Sequence, residues 1–133
     1  YKILNRPTRP AIDEGRVWWV FKKLDAGLMH RTAQNLIGSH DFSTFRASQC
    51  QAASPVKTLD SMTVARRGEF VIVRAAARSF LHRQVRNMVG SLKLVGEGKW
   101  TEADFIAAFK ACDRTKGGPA APAEGLYFEK AEY

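Results

Sequence analysis

The sequence predicts an α+β fold, in which helices pack on one face of an antiparallel sheet. Apolar and polar residues alternate between residues 57 and 80, which indicates a β-hairpin. Apolar residues recur every three or four positions over residues 29–37, 81–95 and 101–112, which indicates three helices. These elements do not follow one another as regular βαβ units, so a parallel sheet is not expected. At 133 residues the chain is expected to form a single domain.

The first 38 residues predict extended segments followed by a helix. Residues 1–5 are typical of a strand that ends at a proline-bounded connection, and residues 17–21 of a short strand or a buried loop. Asp25 is the expected N-cap of the first helix, and Gly38 is its expected C-terminal stop. The buried side of this helix carries apolar residues at helical spacing: Met29, Ala33, Leu36 and Ile37.

The predicted hairpin has strands over residues 57–66 and 69–80, joined by a turn at Arg67 and Gly68. The return strand carries small or branched apolar residues on one face: Val71, Val73, Ala75 and Ala77. The other face carries Arg74 and Arg78. One face is therefore expected to pack on the core, while the other carries positive charge.

Two further helices are predicted in the second half of the chain. The second begins at Leu81 and ends near Gly96, with an apolar stripe formed by Leu81, Val85, Met88, Val89, Leu92 and Val95. The third begins after Thr101, which has Asp104 three residues on as a capping partner. Its buried face is expected to carry Phe105, Phe109 and Cys112. Residues 113–122 are expected to form a loop, and Leu126–Tyr133 a final strand.

The composition is that of a globular protein that binds acidic partners. Hydrophobic residues make up 45% of the chain, which argues against disorder. The net charge of +8 favours nucleic acid as a partner and an anionic membrane surface next. No apolar run approaches the roughly 20 residues of a membrane-spanning helix. Cys50 and Cys112 are far apart and lack metal-ligand spacing, so a disulfide framework is not expected and the cytoplasm is the expected compartment.

Two basic segments have no complete structural explanation. In residues 38–46, Asp41 caps a turn, but Arg46 has no evident structural role, so a phosphate contact and an internal ion pair are comparable interpretations. Residues 80–90 place basic groups at a strand-to-helix junction, where a solvated helix face is the simplest alternative. Against that alternative, Arg86 borders the apolar stripe and is expected to be partly buried. A partly buried arginine favours a carboxylate partner, because its planar fork pairs bidentately.

Conventional catalytic motifs are absent from the sequence. It contains no glycine-rich phosphate loop, no nucleophile elbow and no zinc-binding histidine pair. His30, His40 and His82 are far apart along the chain, and a lone histidine is more often structural than catalytic.

Four segments, in their order along the chain, resemble the TruA-type tRNA pseudouridine synthase family. They are residues 41–46 (DFSTFR), 80–92 (FLHRQVRNMVGSL), 113–115 (DRT) and 123–127 (AEGLY). The resemblance extends over essentially all 133 residues and implies the C-terminal half of the pseudouridine synthase catalytic fold.

The resemblance also implies an activity. Enzymes of this family isomerise uridine to pseudouridine in the tRNA anticodon stem-loop, at tRNA positions 38–40, with neither cofactor nor metal, and they act as cytoplasmic homodimers. Their catalytic aspartate lies in a Gly-Arg-Thr-Asp-Ala-Gly motif in the N-terminal half, which these 133 residues do not contain. The family's active-site tyrosine would lie just upstream of Tyr1. The chain also lacks an initial methionine, so an upstream segment is expected and these residues alone are expected to be inactive.

Seven residues receive a role from the resemblance or from their charge. Arg86 matches the arginine that pairs with the catalytic aspartate, and Leu126 matches the apolar residue that lies against the uracil. The candidate RNA contacts are basic residues near these positions: Arg46, Arg74, Arg78, His82 and Arg83. Two alternatives remain open, a non-catalytic RNA-binding or dimerisation module and a basic domain with an unrelated anionic partner.

Overall fold

The computed structural model describes residues 1–10, 16–47 and 54–128. The strands are β1 (Lys2–Asn5), β2 (Trp18–Val20), β3 (Gly38–Asp41), β4 (Val56–Arg67) and β5 (Phe70–Ala77). The helices are α1 (Ala26–Ala33), α2 (Gln84–Gly96) and α3 (Glu102–Lys110). The strands form one sheet in the order β2-β1-β5-β4-β3. The α+β class is therefore confirmed.

The sheet is antiparallel except at one edge. β1 pairs antiparallel with β5, and β4 pairs antiparallel with both β3 and β5, whereas β1 and β2 run parallel. The sequence did not predict the parallel pair. The connection over residues 6–17 is long enough to return the chain to the same end of the sheet, which a parallel pair requires.

The hairpin of β4 and β5 is confirmed in the orientation of its faces, but its turn lies one residue later than predicted, at Gly68 and Glu69, because Arg67 pairs with Phe70. Val64 pairs with Val73 and both are buried, while Arg74 pairs with Thr63 on the exposed face. Gly68 occupies the turn with a φ of +62°, a left-handed conformation that glycine adopts without steric cost. The return strand ends at Ala77 rather than at residue 80, because the chain then turns towards α2.

The first helix begins as predicted but ends earlier. The side chain of Asp25 accepts a hydrogen bond from the Leu28 N–H at 3.0 Å, which confirms the N-cap. A 3₁₀ turn over residues 34–36 follows α1 at once. Gly38 does not stop the helix: it opens β3 with a φ of +104°. Ile37, predicted to be buried, is 36% exposed, because it lies beyond the last turn of the helix.

The second and third helices are confirmed with changes at their ends. α2 begins at Gln84 rather than at Leu81, because Arg83 takes a left-handed conformation with a φ of +62°. Thr101 and Asp104 form the predicted capping box of α3. Cys112 is exposed rather than buried. It lies past the helix end with a φ of +52°, which turns it away from the apolar face.

The predicted final strand is not formed by the residues that the structure describes. Leu126–Phe128 continue from a 3₁₀ turn over residues 123–125 without joining the sheet. Residues 129–133 of that prediction lie outside the described residues. Within the described ranges, no helix is long and apolar enough to cross a membrane.

One apolar core lies between the sheet and the helices. The Phe45 ring stacks on the rings of Phe105 and Phe109, each with its centroid 5.7 Å away, and Phe42 packs on Phe109 at 5.5 Å. Met88, Val89, Leu92 and Val95 bury one side of α2 completely in this core. The core therefore fixes the axis of α2 and, with it, the direction in which the first turn of α2 points.

Candidate active site

Arg86 lies in the first turn of α2 and is held at two points by Ala121. Its Nε donates a hydrogen bond to the Ala121 carbonyl at 2.8 Å, and its own carbonyl accepts one from the Ala121 N–H at 2.9 Å. The residue is half-buried, as the sequence predicted. Among the described residues, no carboxylate lies at ion-pairing distance from the guanidinium, and its two terminal nitrogens have no hydrogen-bond acceptor. The described structure thus holds the Arg86 guanidinium in place and leaves its two terminal nitrogens accessible to a further acceptor.

The loop over residues 113–122 is bound along the same face of α2. The Asn87 carboxamide accepts from Arg114 Nη2 at 3.2 Å and donates to the Phe45 carbonyl at 2.7 Å. The Ser91 hydroxyl accepts from the Gly118 N–H at 2.9 Å. We call the four α2 residues that hold this loop the clamp: Arg86, Asn87, Gly90 and Ser91.

Gly90 brings the loop into direct contact with the helix. A Cβ atom at this position would overlap the carbonyl oxygen of Pro119 and lie 3.0 Å from the Ala121 nitrogen. Both are backbone atoms, which cannot rotate away as a side chain can. The close approach therefore depends on the missing side chain, and it places Ala121 within reach of Arg86.

The start of the loop is ordered by Asp113 and Arg114. The Asp113 carboxylate accepts from the N–H and the hydroxyl of Thr115, and these hydrogen bonds lower the pKa of Asp113 below its usual value. Burial lowers the pKa of Arg114, which donates to both Asn87 and the Gly118 carbonyl. The segment over residues 113–115, which contributed to the resemblance without a role, thus helps to hold the loop.

Tyr1 also contacts this loop, at its C-terminal end. Its hydroxyl donates to the Pro122 carbonyl, and a Cβ atom on Gly125 would lie 2.5 Å from its ring. Burial raises the pKa of the Tyr1 phenol, the positive charge of Arg86 opposes that rise, and the negative charge of Glu124 adds to it. The phenol is therefore neutral near pH 7, and the charges of Arg86 and Glu124 both act on it. The sequence did not assign Tyr1 or Glu124 to the site.

Leu126 follows the 3₁₀ turn that packs on Tyr1. Its N–H donates to the Ala123 carbonyl at 3.0 Å, and its side chain is 42% exposed. The loop that binds Arg86 at Ala121 therefore leads directly to Leu126. Residues 121–126 therefore connect the two predicted site residues: Ala121 binds Arg86, and Gly125, which lies against the Tyr1 ring, precedes Leu126.

The five candidate RNA contacts fall into two groups. His82 and Arg83 are exposed just before α2, and the Ala47 N–H donates to the His82 carbonyl at 3.1 Å, which brings the neighbouring Arg46 to the same junction. Arg74 is exposed on the sheet face that points away from the helices, and Arg78 is exposed directly after β5 ends. Within the described ranges, no three metal-ligating side chains come together.

Comparisons with known proteins identify the family of this chain. Residues 32–133 match the family described as tRNA pseudouridine synthase. Three relatives named tRNA pseudouridine synthase A align with all 133 residues: those of Rhodospirillum centenum (61% identical), Rhodospirillum rubrum (56%) and Mesorhizobium japonicum (56%). The chain covers 54%, 48% and 54% of their respective lengths, and so spans about half of each. On these matches, the chain belongs to the tRNA pseudouridine synthase family.

Proposed function

We propose that this chain supplies the arginine side of a tRNA pseudouridine synthase active site, for an enzyme that isomerises uridine to pseudouridine in the anticodon stem-loop. The observation that carries the proposal is Arg86, a half-buried guanidinium that Ala121 holds in place while its fork stays open. The 133 residues contain no Gly-Arg-Thr-Asp-Ala-Gly stretch, so the nucleophilic carboxylate would come from outside them. We call this chain joined to a half that carries that stretch the complete synthase.

The proposed role of Arg86 is to pair with the catalytic aspartate. An arginine beside a carboxylate lowers the pKa of that carboxylate, so the aspartate stays ionised and able to attack. A bidentate pair also fixes the direction of both planar groups. Because Nε is already bound to Ala121, the terminal nitrogens of the fork remain for the incoming carboxylate.

Leu126 would form an apolar wall for the target base. A uridine must leave its stack before an enzyme can act on it, and apolar or aromatic walls receive the extruded base. The exposed fraction of Leu126, 42%, leaves this side chain accessible to a ligand. Its link through the loop to Ala121 would keep this wall at a constant position relative to the Arg86 guanidinium.

The two basic groups would bind the tRNA backbone. Arg46, His82 and Arg83 lie where the chain enters α2, so they would contact phosphates near the target nucleotide. Arg74 and Arg78 would extend this contact along the sheet. Affinity for tRNA is therefore expected to fall as salt rises. The homodimeric state and the cytoplasmic location remain part of this proposal.

The substitution Arg86→Lys in the complete synthase tests the proposal. Lysine keeps the charge but cannot reproduce the planar fork, so turnover is expected to fall about 100-fold or more, which corresponds to about 2.7 kcal/mol of activation free energy. Affinity for tRNA is expected to stay within about twofold, because phosphate contacts dominate it. Arg31→Lys is the matched control, because Arg31 is an exposed residue that pairs with Glu102. A loss of tRNA affinity with unchanged turnover at saturation would contradict the role.

The non-catalytic RNA-binding module is the second candidate, and the net charge of +8 favours it. Release of tritium from tRNA labelled at the uridine C5 position separates the two candidates, because only isomerisation frees that hydrogen. A module releases none, even when it is joined to its natural upstream residues. Release above that of a control enzyme whose motif aspartate is replaced by alanine would exclude the module.

A further inference from the structure

Lys2 is an exposed cation that two aromatic rings hold on the sheet face away from the helices. Its neighbour Ile3 is completely buried in the core, so the side chain of Lys2 leaves β1 on the opposite face. Its Nζ lies 5.8 Å from the centroid of the Phe70 ring and 5.5 Å from that of the Tyr127 ring. Both distances are within the range of a cation–π contact. Rings from two separate segments of the chain therefore restrict the position of this ammonium.

These contacts do not neutralise the charge of Lys2. Within the described ranges, no carboxylate lies at ion-pairing distance from its ammonium. An aromatic ring attracts a cation through its quadrupole, but it carries no opposite charge. An ammonium also has three N–H donors, and it binds acceptors such as phosphate oxygens. A positive charge that is held in place, exposed and not paired is suited to binding an anion.

Lys2 lies against the segment that carries Leu126. A Cβ atom on Gly125 would lie 2.7 Å from the Lys2 carbonyl oxygen, and the nearer of the two rings belongs to Tyr127. Gly125 and Tyr127 are the residues on either side of Leu126. Tyr127 is itself anchored, because its hydroxyl donates to the Arg16 carbonyl at 2.6 Å. The backbone and the ammonium of Lys2 thus both adjoin the proposed wall for the target base.

A second cation lies on the same face of the sheet. Lys2 pairs with Ile72 across β1 and β5, and Arg74 follows Ile72 by two residues, so its side chain leaves the same face. Diagonal neighbours on one face of an antiparallel pair lie about 7–8 Å apart. Lys2 therefore extends the positive charge of Arg74, a candidate RNA contact, towards Leu126.

A nucleotide whose base lies against Leu126 would bring a phosphate close to Lys2. A base is joined to its two flanking phosphates through a single ribose, so a cation beside the base wall is within reach of one of them. Contacts with phosphate fix the position of a nucleic acid without reading its sequence. We propose that Lys2 binds a phosphate that flanks the target uridine, and that the rings of Phe70 and Tyr127 hold its ammonium in position to do so. This inference rests on the proposed function, which places the base against Leu126.

Neutral linkages in an anticodon stem-loop RNA with a single target uridine test the proposal. One RNA carries a methylphosphonate on the 5′ side of that uridine, a second on its 3′ side, and a third at the far end of the stem. The parent RNA keeps every linkage charged. In all four RNAs the riboses at these linkages are 2′-O-methylated, because a free 2′-hydroxyl would cleave a neutral linkage. Fluorescence anisotropy measures binding to the complete synthase, and isomerisation does not affect the comparison because it leaves both phosphates in place.

Lys2→Met removes the charge and keeps an unbranched side chain. It is expected to weaken binding of the parent RNA about fivefold, the upper end for an exposed ion pair, and to lower the salt slope by about one. It is expected to have no effect on the RNA whose contacted phosphate is neutral, because the interaction is then already lost. The full fivefold effect should remain with the neutral linkage in the stem. The same loss with all four RNAs, or no loss with any, would overturn the proposal.

Lys110→Met is the matched control, because Lys110 is an exposed lysine in the last turn of α3. Its effect on affinity is expected to be the same for all four RNAs. The melting temperature of each variant is measured in parallel. If Lys2→Met lowered the melting temperature but left every affinity unchanged, Lys2 would only support the fold and the proposal would be wrong.

Two substitutions of Tyr127 test whether the rings hold the ammonium. Tyr127→Leu removes the ring, so the effect of Lys2→Met on the parent RNA is expected to fall from about fivefold to about twofold. Tyr127→Phe keeps the ring and loses only the hydrogen bond to Arg16, so the effect should stay near fivefold. An effect of Lys2→Met that survives Tyr127→Leu unchanged would contradict the role of the ring.

The result for Lys2 is separate from the result for the proposed function. Pseudouridine formation, together with a Lys2→Met effect that no flanking linkage changes, would remove this inference alone. The absence of pseudouridine formation would remove the proposed function. A Lys2→Met effect that one flanking linkage abolishes would still support the phosphate contact in that case.

Discussion

The two ends of α2 are built in opposite ways. At the first turns, the clamp residues Asn87, Gly90 and Ser91 bind the loop over residues 113–122, and each of their polar groups has a partner within the fold. At the last turn, the buried carboxylate of Glu97 is held by charge instead, since it pairs with Lys93 at 2.8 Å and with Lys99 at 3.6 Å. The difference teaches that one helix can be held by close contacts with the backbone of a loop at one end and by ion pairs between side chains at the other.

The largest effect is expected from Gly90→Ala in the clamp. The new Cβ would overlap the Pro119 carbonyl, so either the loop or the helix must move. We expect the free energy of unfolding of the complete synthase to fall by about 3 kcal/mol, the upper range for overpacking against rigid atoms. Chemical denaturation followed by tryptophan fluorescence measures it.

Gly27→Ala in α1 is the matched control for that change. Its Cβ would meet only the Asp25 carboxylate at 3.6 Å, an ordinary van der Waals contact. Alanine there is expected to stabilise the protein by about 0.5 kcal/mol, because it restricts the unfolded chain. If both substitutions behaved alike, the tight contact at Gly90 would not hold the loop.

Asn87→Ala is expected to have an intermediate effect. It leaves the buried Phe45 carbonyl without its donor and removes one acceptor from Arg114. The expected loss is about 2 kcal/mol, the cost of an unsatisfied buried polar group. The same denaturation experiment checks it. Asn35→Ala serves as the control, because Asn35 is exposed, and its loss should stay within about 0.5 kcal/mol.

The smallest effect is expected at the other end of α2, from Gly96→Ala. Its Cβ would lie 2.5 Å from the sulfur of Met29, the far end of a flexible side chain rather than a backbone atom. Methionine can adopt another rotamer, so a loss of about 1 kcal/mol is expected from its denaturation curve. A loss of unfolding free energy equal to that of Gly90→Ala would mean that both ends of α2 are equally rigid. That result would contradict the difference between the two ends.

The elements that depend on nearby residues could be predicted from the sequence. The caps at Asp25 and Thr101 were found because a capping side chain bonds to the backbone three residues on. The hairpin was found because its alternation is visible within each strand. The half-buried position of Arg86 followed in the same way, since one turn of a helix decides whether a side chain borders the apolar stripe.

The elements that depend on distant residues could not be predicted. The four residues of β3 show no apolar alternation, and only pairing with β4 makes them a strand. Cys112 continues the helical spacing of α3, and nothing in the local sequence indicates its left-handed backbone. The hydrogen bonds that fix the site join Asn87 to residues 42 and 27 positions away, and Tyr1 to a residue 121 positions away.

The sequence by itself determined the fold class, the caps that start α1 and α3, and the half-buried position of Arg86. These properties follow from spacing over three or four residues, which the covalent chain fixes directly. The tertiary structure alone decided that Ala121 holds Arg86, that Tyr1 binds the loop that leads to Leu126, and that the Glu97 carboxylate is buried beside Lys93 and Lys99. These outcomes depend on which surfaces come into contact when α2 packs into the core. The spacing of residues along the chain does not indicate those contacts.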